Sequence, residues 1–140
     1  MHPSVHHRIL MLETDPDDRF ITSTVFGEQQ YPVDLVFAED KAEVFAHLDH
    51  CRQHQLPYPS LILVTLTTSP TGRETLQQLK SHAAYKHIPV VILTGNSHET
   101  IARECYALGA TSVIEKPSGT KETYDKISNF FRYWFGTVEL

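Results

Sequence analysis

Five strand-length apolar runs, each followed by a segment with helical punctuation, fill almost the whole of this 140-residue chain, and no other feature restricts its fold as strongly. A strand buried on both faces of a parallel sheet reads as a continuous apolar run rather than an alternating one. Leu61 to Leu66 (LILVTL) has that pattern, with no polar residue until Thr65. Ile9 to Leu12, ending in Glu13, Val33 to Ala38, Val90 to Leu93 after Pro89, and Thr111 to Glu115 are the other four. Strand and helix alternating in this way imply a parallel sheet with right-handed crossovers, hence a doubly wound α/β layer fold.

The punctuation between the runs predicts the helices. Asp15 caps a first helix from Pro16 to about Gln29, with proline at the first helical position, where a missing N–H costs nothing. Asp40 and Glu43 form a capping-box pattern that opens a helix through about Gln53. Thr71 and Glu74 repeat the box, with Leu76 and Leu79 facing inward. Asn96 or Ser97 caps a fourth helix with an inner stripe of Ile101, Cys105 and Leu108, and Gly109 closes it in the left-handed conformation. Thr120 to about Phe135 is the last helix.

With 41% hydrophobic and 21% charged residues, the chain fits one domain, residues 8–136, between a tail of residues 1–7 and a tail of 137–140. The net charge of −5, with the cations scattered, offers no basic stripe to nucleic acid or anionic lipid. The longest apolar runs are strand-length and the N-terminus MHPSVHHRIL lacks a signal-peptide core, which predicts a cytoplasmic protein. Cys51 and Cys105, without CxxC spacing, are expected as reduced thiols.

In doubly wound sheets, functional groups collect at the carboxyl ends of the strands. Here those positions are Glu13 and Thr14, Thr65, Thr94 and Gly95, and Lys116 and Pro117. The segments ILMLETDPDDRFI (Ile9 to Ile21), LILVTL, IPVVILTGN (Ile88 to Asn96) and GATSVIEKP (Gly109 to Pro117) together resemble the receiver domain of two-component response regulators. The PDDR from Pro16 and the aromatic pair Tyr133-Trp134 are similar to stand-alone receivers that partner bacterial phytochromes and other sensor kinases. The resemblance implies a five-stranded flavodoxin-like sheet of order 2-1-3-4-5, and phosphoryl transfer to one aspartate.

That chemistry needs an acidic pair after the first strand to hold Mg²⁺, a hard cation that wants oxygen ligands. The matching positions are Glu13, which keeps a carboxylate, and Thr14, which does not. The nucleophile position is Thr65, whose hydroxyl cannot form an acyl phosphate, and no aspartate occurs from Cys51 to Tyr124 to replace it. Thr94 matches the hydroxyl that reports phosphorylation, Lys116 the lysine that pairs with the phosphoryl group, and Val113 the position of the conformational aromatic. The Lys116–Pro117 bond should be cis as in the family, and Lys116 should contact Glu13 across the acidic pocket. No cofactor is expected and Mg²⁺ binding should be weak or absent.

Plainer readings stand beside these. Thr65 as a kinase target competes with Thr65 as a good strand former. Lys116 near Glu13 is also what a structural ion pair looks like, and Thr94 is also an ordinary satisfied hydroxyl. The loop Thr65-Leu66-Thr67-Thr68-Ser69 reads as solvated, and His2, His6 and His7 as a histidine-bearing tail rather than a metal site. Asp15, Asp17 and Asp18 should all be committed to the start of the first helix.

On the last helix, Tyr124, Ile127, Phe131, Trp134 and Phe135 fall on one broad core face, with Phe130 at its margin and Tyr133 opposite. Val113, Phe130 and Tyr133 thus mark a candidate interaction surface, which the resemblance places on the fourth helix, fifth strand and fifth helix. The expected function is a stand-alone pseudo-receiver, not an enzyme, that signals by protein–protein interaction without aspartyl phosphorylation. Its expected partners are a sensor kinase, another response regulator or a second copy of itself, with no nucleic acid and no membrane. The alternatives are a degenerate receiver switched by a ligand or by Ser/Thr phosphorylation, and a flavodoxin-like cofactor enzyme. The last is disfavoured because ETDPDDR after the first strand lacks a phosphate-cradling glycine or hydroxyl pattern.

Overall fold

The computed structural model describes residues 7–28, 33–95, 99–116 and 120–136. The expected caps Asn96 and Ser97, the helix end at Gln29, Pro117 with its peptide bond, the side chain of Phe131, His2, His6 and residues 137–140 lie outside them. The elements alternate as expected: β1 (His7–Leu12), α1 (Pro16–Glu28), β2 (Val33–Ala38), α2 (Lys41–Gln53), β3 (Leu61–Leu66), α3 (Thr71–Ser81), β4 (Val90–Thr94), α4 (Glu99–Ala107), β5 (Ser112–Glu115) and α5 (Thr120–Gly136). The strands form one five-stranded parallel sheet of order β2-β1-β3-β4-β5.

Register brings the site together. Leu12 lies opposite Val64, so Glu13 leaves β1 at the level of Thr65, while Leu66 lies opposite Thr94 and Thr94 opposite Glu115. Side chains alternate across a strand, so β3 feeds two cores. Ile62, Val64 and Leu66 join Leu48, Leu76, Leu79 and Tyr85 on one face, and Leu61 and Leu63 join Ile9, Met11, Phe130 and Trp134 on the other.

The helix ends explain where sequence signals held and where they shifted. Asp40 accepts from the Glu43 N–H at 2.8 Å and caps α2, while the Glu43 carboxylate reaches the Glu39 N–H, one residue before the position a capping box uses. At α3 the expected box does not form. Pro70 occupies the cap position with helical φ −73° and ψ −4°, so Thr71 is already the first helical residue and its hydroxyl bonds to Ser69 Oγ at 2.9 Å instead. Gly109 has φ 105°, as its closing role requires, and a Cβ there would lie 2.8 Å from Lys80 Cγ. His7, placed in the tail by sequence, is the first residue of β1, with Nδ1 2.9 Å from Ser60 Oγ. Among the described residues, no helix is long and apolar enough to cross a membrane.

Candidate functional site

Among the described residues, the carboxyl end of the sheet holds one buried acid, Glu13, and its neighbours satisfy it. Glu13 is 1% exposed, and its N–H donates to the Ala38 carbonyl at 3.1 Å, which fixes the backbone between β1 and β2. A buried carboxylate needs partners for both oxygens. Oε2 accepts from the Asp15 N–H at 3.2 Å. Oε1 accepts from the Thr65 hydroxyl at 3.1 Å and from Lys116 Nζ at 2.9 Å. The lysine is delivered by the end of β5, where its own N–H donates to the Thr94 carbonyl at 2.7 Å.

The Lys116–Glu13 contact expected from the sequence is therefore direct. Lys116 also has a second anion, which the sequence did not point to: Nζ lies 2.5 Å from Asp18 Oδ2. Of the three aspartates expected at the start of α1, Asp15 behaves as predicted, accepting the N–H groups of Asp17 at 2.8 Å and Asp18 at 3.4 Å. The Asp18 carboxylate turns to the lysine. Burial of Lys116 works against its charge, but the hydrogen bonds from Asp18 and Glu13 and their attraction outweigh it, so its pKa is raised.

The remaining predicted residues are placed as follows. Thr65 and Thr94 are buried at the ends of β3 and β4, whereas Thr14 is exposed. Thr14 lines a polar cleft of about 160 Å³ with Glu39, Asp40, Thr67, Ser69 and Thr71. Gly72 lets α3 close this cleft, since a Cβ there would meet Leu66 Cδ2 at 2.6 Å. The donor set does not fit Mg²⁺, which demands near-octahedral oxygen coordination with free carboxylate. Glu13 is already paired with the Lys116 ammonium, Asp15 caps a helix, Asp18 shares the same lysine, and the other two positions carry neutral hydroxyls.

The surface set needs correction. Phe130 is 8% exposed and packs in the core against Trp134, so it cannot extend a surface patch. A residue at the edge of an apolar helical face is buried when the neighbouring sheet is wide enough to cover it, and Phe130 shares its core with Ile9, Leu63 and Val91 of the sheet. Val113 is half-buried, and its N–H is held by the Tyr106 hydroxyl at 3.1 Å. Tyr133 is 56% exposed, as expected, and Tyr106 on α4, which sequence reasoning missed, is 50% exposed.

A second network lies at the other end of the sheet. Tyr85 is fully buried, donates its hydroxyl to Asp49, stacks on His82 at 4.1 Å and meets Tyr58 edge-on at 5.5 Å. Burial first, then the Asp49 hydrogen bond and charge, push its pKa up to about 12.

Fold and sequence together define the class. The chain matches the response regulator receiver domain over residues 9–128 and belongs to that family, which consists of signalling regulators rather than enzymes. Among solved structures, the phosphorylated cyanobacterial phytochrome response regulator RcpA is 25% identical, with a TM-score of 0.87 over 97% of this chain and 99% of its own. Rcp1 in its Mn²⁺-bound form is 26% identical, with a TM-score of 0.82 over 96% of this chain and 98% of its own. A response regulator from Hahella chejuensis has the same identity of 26%, TM-score of 0.82 and coverage of 96% and 98%. No curated protein matches the chain in sequence.

Proposed function

We propose that this receiver domain is a pseudo-receiver, which signals through protein–protein contacts and takes no phosphoryl group on an aspartate. The observation that carries this reading is the closed charge cluster. Lys116, whose family role is to meet a phosphoryl group, is bound to Glu13 and Asp18, and Glu13 also receives the hydroxyl of Thr65 at the nucleophile position. Of the similar structures, RcpA is solved in its phosphorylated state and Rcp1 with Mn²⁺ bound. In this chain the same end of the sheet is a structural ion-pair network. Partner binding then falls to the surface of α4, β5 and α5, where Tyr106 and Tyr133 are the exposed large aromatics among the described residues, for a sensor kinase, another response regulator or a second copy of the chain.

The test is beryllofluoride with Mg²⁺, which mimics an acyl phosphate when an aspartate coordinates it. The amide resonances of Thr94 and Lys116 should not move in the wild-type protein and should move in a Thr14→Asp, Thr65→Asp variant. A saturable shift in the wild type would overturn the reading.

A further inference from the structure

The geometry points to a two-histidine site for a nitrogen-preferring transition-metal dication, such as Zn²⁺, formed by His50 and His54 at the carboxyl end of α2. The two residues are four apart, the spacing that stacks side chains on one face of a helix and that places paired imidazoles on a single zinc ion. Their rings are already adjacent, with centroids 4.3 Å apart and planes tilted by 48°. Both side chains are exposed, so no packing has to be broken for two nitrogens to converge at the 2.0–2.1 Å that zinc requires.

The backbone around the pair is fixed. The His54 N–H donates to the His50 carbonyl at 3.1 Å, and the Leu56 N–H closes back on the Cys51 carbonyl at 2.8 Å. Gln55 takes φ 55° between them, so the helix ends in a Schellman turn rather than fraying. The negative end of the helix dipole favours a cation at this place. The nearest cation in sequence, Arg52, is countered by Asp49 at 3.5 Å. Among the described residues no group of three or more His, Cys, Asp or Glu converges on one point, so the proposed site has these two protein ligands among them. The site lies at the opposite end of the sheet from Glu13 and is independent of the charge cluster there.

Isothermal titration of the full chain with Zn²⁺ tests this, with a His2→Ala, His6→Ala variant to remove binding by the N-terminal histidines. One equivalent should bind to that variant as to the wild type, and His54→Ala should weaken it at least tenfold with an unchanged circular dichroism spectrum. In two-dimensional spectra, the imidazole resonances of His50 and His54 should shift together. Absence of binding, equal binding by His54→Ala, or loss of binding on removing His2 and His6 would each overturn the proposal.

Discussion

The two ends of the sheet solve the same problem with different groups. At the amino end, a neutral phenol is buried and its one donor is given to Asp49, a carboxylate that still reaches water. At the carboxyl end, a buried carboxylate is met by a partly buried ammonium that also pairs with Asp18. A neutral buried group loses little when its partner is removed, because only one hydrogen bond is at stake. A buried charge loses its compensation. The carboxyl end is therefore expected to be the more fragile of the two.

Breaking each end in turn makes the difference measurable. Lys116→Met should have the largest effect, lowering stability by about 3–5 kcal/mol in denaturant unfolding, since it leaves Glu13 buried without a counter-charge. The raised lysine pKa fixes the sign of the pH dependence. Its contribution is complete below the unfolded value near 10.5 and is lost as pH rises through the higher folded value. Lys116→Met should therefore lack that alkaline loss.

Thr14→Asp with Thr65→Asp should come next, costing about 2 kcal/mol in chelator through like-charge repulsion with Glu13. Part of that loss should return with Mg²⁺, as a rise in melting temperature. An unchanged melting temperature in chelator would mean that Lys116 already absorbs the added charge.

Tyr85→Phe, the matching cut at the amino end, should cost about 1.5 kcal/mol in the same assay, the value of a hydrogen bond to a charged group. With its pKa at about 12, Tyr85 also contributes stability that is complete below pH 10.0 and lost as pH rises through the folded value. The phenylalanine variant should flatten this limb. If it costs as much as Lys116→Met, the contrast between the two ends is wrong. The smallest effect is a gain: Gln55→Gly should stabilise by about 0.5–1 kcal/mol, because glycine takes the left-handed conformation without steric cost.

Nearly every element was legible because apolar continuity marks parallel strands and caps mark helices, and both are local signals. Glu13, Thr65 and Lys116 could be placed together because they stand at strand ends, which a parallel sheet brings to one level. Asp18 and Tyr106 were missed because their partners, Lys116 and Val113, are fixed by tertiary packing that no local pattern encodes. Phe130 was misplaced for a related reason. Helical periodicity gives the centre of a buried face, but its width depends on the sheet it meets.

The central claim is that the closed cluster takes no phosphoryl group, and intact-protein mass spectrometry after incubation with acetyl phosphate and Mg²⁺ tests it most directly. The account predicts an unchanged mass for the wild-type protein, because Thr65 offers no carboxylate and Glu13, Asp15 and Asp18 are engaged. A stoichiometric, hydroxylamine-labile gain of one phosphoryl group would contradict it and place this chain among the phosphorylated receivers.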